Sequence, residues 1–356
     1  MSEDMELTMM KGNEAIGEAA IRAGCRFFFG YPITPQSELP AYMARRMPEV
    51  GGLYLQAESE LAAVNMLMGA SATGVRAMTS SSSPGFSLKQ EGISYMVGSQ
   101  IPCVVVNIMR GGPGLGNIQP SQSDYHQLVK GGGHGDYHLI TLAPSTVQEL
   151  SDLMALAFDL ADKYHNPTAI MGDGLLGQTM EPVRFPAMHT HVPATDWTIT
   201  GAKGRAKRFF TSLDLSPENL EKHNLELQAK FDAMLSEVRY EEYHCDDAEL
   251  VVVAFGTSAR VARSAVDAAR AQGLKVGMFR PITVWPFPTQ QLAALADRGV
   301  KAFLDVEMSA GQMIDDVKLS IMGRAPVHFY GRMGGMVPTP REVLIQIEKV
   351  LGGEAK

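Results

Sequence analysis

The chain has 356 residues, 45% hydrophobic and 20% charged, with a net charge of −8 and a pI of about 5.6. That is ordinary globular composition, long enough for about two or three domains, and it lacks the basic surplus of a nucleic-acid binder. No apolar run reaches the ~18 residues of a membrane span, and the acidic start MSEDMELTMMKG has no apolar leader core, so a cytoplasmic protein is expected.

In chain order, Asn13 is placed to cap a helix whose Ile16, Ala19, Ala20 and Ala23 share one face, with Gly24 at its end. Arg26–Phe29 reads as a buried strand running into GYPITP, where Pro32 and Pro35 restrict the backbone around Ile33 and Thr34. Leu61–Ala72 reads as a small-residue helix and Gly74–Ser80 as a short strand. The loop SSSSPGFS leads into a helix through Lys89–Val97. PCVVVNIMR (102–110) has the apolar continuity of a central parallel strand, and HLITLAP follows as another. Ser145 and Gln148 form a capping box for a helix reaching about Tyr164, and PTAIMGDG is the next strand and turn.

Residues 181–215 lose this rhythm and read as a connector. Ser216-Pro217-Glu218 opens a polar helix with a thin stripe of Leu220, Leu227, Phe231, Leu235 and Val238. A second block opens at Glu249 with the strand LVVVAFGTS. A helix Ala259–Gln272 is stopped by Gly273, and KVGMFRPITVWPFP is a strand with a proline-rich loop. Leu292–Ala296 is a helix core, VKAFLDVEM and PVHFYGRMGG are strands, and Arg341–Leu351 is the last helix. The alternation predicts an α/β protein with two doubly wound parallel-sheet domains, whose ligands belong outside the C-terminal strand ends.

Those loops hold the candidate chemistry. Arg110 stands at the mouth of an apolar strand, before six residues with four glycines. It suits bidentate capture of a carboxylate or phosphate, with glycine N–H groups approaching an anion. The alternative is a structural arginine tied to carbonyls or to Asp124. Glu58 and Glu60 flank Ser59 before a helix start, and spacing does not choose between catalysis and helix-dipole complement. The GDG at 172–174 has no Asn-Asn downstream to complete a magnesium site, so a tight turn is expected there. His189/His191 and His134/His138 read as loop histidines. Cys25, Cys103 and Cys245 are isolated, so this chain is not expected to hold a zinc ribbon or an iron–sulfur cluster, and its 22 scattered methionines read as core filling.

Together, GYPITP (30–35), ESELAAVNMLMGASATGVRAMTSSSSPGFSL (58–88), MRGGPGLGNIQPSQSDY (109–125) and RPITVWPFP (280–288) resemble the α subunit of multi-subunit 2-oxoacid:ferredoxin oxidoreductases, most closely the branched-chain, 2-oxoisovalerate type. The resemblance covers nearly the whole chain. It implies a thiamine diphosphate aminopyrimidine-binding domain over 1–190, a connector with a helix over 191–245, and a transketolase C-terminal-like domain over 246–356. It also implies CoA-dependent oxidative decarboxylation of a 2-oxoacid to acyl-CoA and CO2, with reduction of ferredoxin. Mg2+, the diphosphate site and [4Fe-4S] clusters are then expected on partner chains: a β subunit, a γ subunit and a ferredoxin-like δ subunit.

Carried residue by residue, the resemblance puts Glu60 on the glutamate that meets N1′ of the aminopyrimidine, in a buried setting without a cationic neighbour. Thr34 falls on the loop threonine that reaches substrate and cofactor, and Arg110 on the arginine that pairs the substrate carboxylate. Pro32, Ser82, Ser83 and Gly85 fall beside the aminopyrimidine. From Gly111 to Gln127 there is no Lys or Arg, which favours an apolar substrate side chain over the second carboxylate of 2-oxoglutarate. The competing readings are a 2-oxoglutarate- or pyruvate-specific member, a lipoyl-linked 2-oxoacid dehydrogenase component, and a non-catalytic nucleotide-binding subunit using RGGPGLG or GRMGGMV.

Overall fold

The computed structural model describes residues 7–190 and 196–352. In the first part the elements are β1 (Thr8–Lys11), α1 (Gly12–Arg22), β2 (Phe27–Gly30), α2 (Glu38–Glu49), β3 (Leu53–Gln56), α3 (Glu60–Ser71), β4 (Ala77–Ser81), α4 (Ser83–Gly98), β5 (Val104–Met109), α5 (Tyr125–Val129), β6 (Ile140–Leu142), α6 (Val147–Tyr164), β7 (Thr168–Asp173), α7 (Gly174–Gln178) and β8 (Met180–Val183). After β8 the described residues up to 216 hold no helix or strand, and α8 (Pro217–Met234) and β9 (Tyr240–Tyr243) follow. The second part holds β10 (Leu250–Val253), α9 (Gly256–Ala271), β11 (Val276–Pro281), β12 (Thr283–Trp285), α10 (Thr289–Asp297), β13 (Ala302–Glu307), α11 (Ile314–Ile321), β14 (Val327–Gly331) and α12 (Pro340–Leu351).

Apolar continuity decides strand position. Every residue of β5, β7, β11 and β13 is buried, as strands covered by helices on both faces must be. Among the described residues, one sheet has seven strands in the order β12-β6-β7-β5-β4-β2-β3, and another has five in the order β14-β13-β10-β11-β9. Both are α/β and mainly parallel. Each carries one antiparallel edge strand, β12 against β6 and β9 against β11. The segment TVW therefore crosses from the second part to close the edge of the first sheet, where a proline-rich loop was expected.

Several local expectations shift. Asn13 lies inside α1, and its amide bonds the Pro35 carbonyl (2.8 Å) and Glu38 (2.9 Å) instead of capping. The α6 cap is Thr146, which accepts from the Glu149 N–H; Glu149 in turn accepts from the Ser145 N–H. SSSSPGFS splits between the end of β4 and the first turn of α4. On α8 the buried stripe is Leu227, Phe231 and Met234, while Leu220 and Leu235 are exposed. Among the elements that went unread are α11, β3 and α2, the last with Leu39, Met43 and Met47 recurring every four residues and fully buried.

The first sheet reverses its winding beside β2. The chain goes from β2 out to β3, returns to β4 on the other side, and continues to β5. The crevice between the C-terminal ends of β2 and β4 is therefore the switch point where such sheets bind ligands. The corresponding crevice of the second sheet lies between β10 and β13, and the protein fills it itself. Gln122 donates to Phe255 O (2.8 Å), accepts from Met308 N (3.0 Å) and Ser258 Oγ (2.6 Å), and its own N–H bonds Met308 O (2.9 Å). The two parts are also tied by Arg280 of β11, which donates to Glu149 (2.6 and 2.8 Å), Ser145 (2.9 Å) and Glu241 (2.9 Å).

Candidate active site

The loop after β2 is held by its carbonyls. Pro35 O accepts from Asn13 Nδ2 (2.8 Å) and Gln178 Nε2 (3.2 Å), and Thr34 O accepts from Arg110 Nη1 (2.8 Å). Pro35 is buried while Pro32 and Thr34 are exposed, so the loop is pinned at its base and presents Thr34 outward. That is the preorganisation a positioned contact requires.

Arg110 is 7% exposed, and its other terminal nitrogen donates to Leu115 O (3.0 Å). In this structure the guanidinium is thus tied to carbonyls rather than to Asp124. Its Nε is buried and has no hydrogen-bond partner among the described residues. The glycines that follow serve close packing more than anion approach. Gly111 N–H bonds Gln119 O (2.8 Å), and Asn117 N–H bonds Gly111 O (2.9 Å). Asn117 Nδ2 also reaches Gly334 O (2.8 Å), and a Cβ on Gly111 would lie 2.9 Å from Gly335 N. RGGPGLG and GRMGG therefore seal each other.

The serine run connects everything at the switch point. Ser80 Oγ donates to Gln36 Oε1, joining β4 to the GYPITP loop. Ser83 Oγ donates to Asp124 Oδ2 (2.6 Å) and accepts the Arg110 N–H (3.0 Å), while Ser83 N–H bonds Asn107 Oδ1 (2.9 Å). Ser83 adopts φ +30, a conformation costing about 1–3 kcal/mol in a non-glycine residue, held here by these bonds. Burial pushes the Asp124 carboxyl above its usual range, opposed by Ser83, Asn107 and Arg110. Ser81 and Ser82 are fully buried, and neither hydroxyl has a hydrogen-bond partner among the described residues.

Glu60 opens α3 and is 6% exposed, whereas Glu58 is exposed, so only Glu60 faces inward. Its carboxylate lies against Gly85 on α4, where a Cβ would sit 2.3 Å from both Glu60 Oε1 and Ser81 Oγ. The expected absence of a cation is overturned. Lys89, one helical turn after Gly85, is fully buried and donates to Glu60 O (3.3 Å). Burial brings its ammonium down to about 8, with Glu60 acting in the opposite direction.

A buried carboxylate beside glycine and two partnerless buried hydroxyls fits the polar edge of an aminopyrimidine. Thr34, Arg110, Ser83, Glu60, Ser82 and Gly85 are brought to this one end of the sheet. Lys89, Gln36 and Asn107 were missed, and Asp124, weighed only as a partner for Arg110, meets Ser83 and Asn107 instead. The GDG is a strand-to-helix junction where a tight turn was expected: Gly172 and Asp173 end β7, and Asp173 caps α7 through Leu175 N (2.9 Å) and Leu176 N (3.1 Å). His134 and His138 lie in loops with His189, and His191 is outside the described residues. Among the described residues no cluster of His, Cys, Asp or Glu could hold a metal ion, and no helix is long and apolar enough to cross a membrane.

Comparison with known proteins matches these features. The family model "Pyruvate flavodoxin/ferredoxin oxidoreductase, thiamine diP-bdg" covers residues 18–245, and "Pyruvate:ferredoxin oxidoreductase core domain II" covers 248–343. The chain is 52% identical to ketoisovalerate oxidoreductase subunit VorB of Methanothermobacter marburgensis, covering 98% of this chain and 99% of the relative. It is 36% identical to 2-oxoglutarate synthase subunit KorA of Methanocaldococcus jannaschii, covering 95% and 98%. Among solved structures, 2-oxoglutarate:ferredoxin oxidoreductase from Magnetococcus marinus, with 2-oxoglutarate, coenzyme A and succinyl-CoA bound, superposes with a TM-score of 0.85 at 27% identity, over 98% of this chain and 66% of that one.

Proposed function

Because the chain belongs to the 2-oxoacid:ferredoxin oxidoreductases as an α-type subunit, with a thiamine diphosphate-binding domain, we propose that its complex oxidatively decarboxylates a branched-chain 2-oxoacid such as 2-oxoisovalerate. The products are acyl-CoA, CO2 and reduced ferredoxin. One observation carries the reading: the buried Glu60 carboxylate seated on Gly85, at the same sheet end as Thr34 and Arg110.

Bound thiamine diphosphate supplies the carbon nucleophile and the electron sink for decarboxylation. Glu60 would hold the ring nitrogen of the aminopyrimidine and move a proton to and from it, a contribution worth about 10²–10⁴-fold. Ser81 and Ser82 offer hydroxyls to the ring's polar edge, with Gly85 keeping the space clear. Thr34 presents its hydroxyl to substrate and cofactor from the pinned loop. Arg110 orients the substrate carboxylate while clamping Thr34 and Leu115.

The side-chain preference rests on Leu115, 80% exposed, and Ile118, 55% exposed, in a loop with no lysine or arginine beside Arg110. The name of the 52%-identical relative supports the same substrate. Partner chains supply Mg2+, the diphosphate site and [4Fe-4S] clusters: a β subunit, a γ subunit and a ferredoxin-like δ subunit in the cytoplasm.

The test is 2-oxoacid- and CoA-dependent viologen reduction by the assembled complex, with 2-oxoisovalerate preferred to 2-oxoglutarate. Glu60→Gln is expected to lower the rate at least about 10²-fold with assembly intact. A wild-type rate in that variant overturns the reading.

A further inference from the structure

Lys89 is an unusual core residue. It is fully buried, and its ammonium hydrogen-bonds the carbonyl of Glu60 (3.3 Å). Uncompensated burial of an ammonium is costly, and a methionine or leucine fills such a slot without that cost. The face of α4 that carries Lys89 is organised around the start of α3. Gly85 makes room for the Glu60 carboxylate, Lys89 holds the Glu60 main chain, and a Cβ on Gly92 would lie 2.6 Å from Val64. Gly85, Lys89 and Gly92 follow one another at helical spacing.

Charges around the group are sparse. On α3, Glu60 acts on Lys89, while Glu58 in the preceding loop is exposed. On α4 itself, Glu91 is exposed and accepts from Tyr95. The electrostatic pairing therefore runs between Lys89 and Glu60.

We propose that Lys89 is a positioning residue for Glu60: it pins the first turn of α3 through the Glu60 carbonyl and so fixes where the Glu60 side chain meets the aminopyrimidine. The assignment rests on the functional reading of Glu60 given above. The ammonium is lost as pH rises through about 8, and with it the charge-assisted hold on the Glu60 carbonyl. Cofactor binding then has an alkaline limb near pH 8 that belongs to Lys89.

The experiment measures the dissociation constant of thiamine diphosphate from the assembled complex between pH 5.5 and about pH 10, by calorimetry or fluorescence quenching. The wild type is expected to lose affinity through an inflection near pH 8. Lys89→Met removes that inflection and weakens binding at pH 7 by about tenfold. Lys89→Arg, which keeps a charged donor, retains the pH 7 affinity and moves the alkaline inflection out of range. A wild-type profile in Lys89→Met overturns the proposal. If neither variant folds, a wild-type profile flat through pH 8 overturns it. Glu60→Gln separates the two readings: unchanged affinity there defeats the role of Glu60 itself, whereas weakened affinity beside a wild-type Lys89→Met profile defeats only this inference.

Discussion

The Glu60 carboxylate occupies the space that a side chain at Gly85 would need: a Cβ there would lie 2.3 Å from Oε1. Gly85 is helical, so its value at this position lies in absent volume rather than in backbone freedom. Gly85→Ala forces the carboxylate or Ser81 to move. We expect overpacking to cost about 1–3 kcal/mol of stability and cofactor affinity to fall by about tenfold or more. Calorimetric titration of the complex with thiamine diphosphate checks it; unchanged affinity would show that Glu60 has another stable seat.

Arg110 spans two carbonyls, Thr34 O and Leu115 O, with two different nitrogens. A lysine has one nitrogen and cannot bridge both. Arg110→Lys is therefore expected to fail nearly as badly as Arg110→Met. KM for the 2-oxoacid should rise about 10–100-fold, the equivalent of one charge-assisted hydrogen bond. Steady-state kinetics on both variants decide it, and a lysine variant with wild-type KM would reduce Arg110 to a point charge.

Asp305 lies in β13 with no exposed surface, and its carboxyl faces that of Glu307. Burial, reinforced by Glu307, pushes its carboxyl well above the usual range, so the native state keeps it protonated. A raised carboxyl contributes stability fully below its unfolded value of 3.8, and that contribution is lost as pH rises through the folded value. Asp305→Asn keeps the shape and cannot ionise. Its melting temperature should equal or exceed the wild type at pH 8, with the gap closing toward pH 4. Thermal melts across that range test the sign, and a variant less stable at pH 8 than at pH 4 relative to wild type contradicts it.

Arg280 and Glu149 tie the two parts of the chain together. Burial alone would raise the Glu149 carboxyl, but Arg280 and Ser145 hold it below the usual range. A depressed carboxyl contributes stability above its unfolded value of 4.5, and this is lost as pH falls through the folded value. Arg280→Met leaves Glu149 and Glu241 without that partner and should cost about 3–5 kcal/mol. Denaturant unfolding at pH 7 should register the loss, with a smaller difference at pH 3.5; a variant as stable as wild type at pH 7 would mean that solvent compensates both carboxylates.

Legibility followed the physical range of each signal. Val104–Met109 could be read as central because a run that is apolar but for Asn107, with β-branched residues, has no solvent face to mark. Thr283–Trp285 could not: three residues between prolines resemble a loop, and only the open edge at β6 makes them a strand. The alternation around Ser145 located the α6 cap to within one residue, because Ser145, Thr146, Gln148 and Glu149 offer overlapping cap chemistry. Among site residues, Arg110 was nameable from local pattern, whereas Thr34, Glu60 and Ser83 were named only through the family resemblance. Lys89 was not, since a lone lysine in a helix ordinarily reads as surface, and only packing against α3 buries it.

By itself, the amino-acid order determined the α/β alternation, the loops at strand ends that carry polar chemistry, and the family resemblance, because periodicity and motif are short-range properties of the chain. Tertiary structure decided which of Glu58 and Glu60 faces inward, that Gln122 fills the second crevice, and that Arg110 is clamped to two carbonyls. It also placed a buried ammonium on a main-chain carbonyl, Lys89 against Glu60 O, from separate helices. These depend on which strand ends meet at the switch point and on volume withheld at Gly85, and neither quantity exists until the sheet has closed.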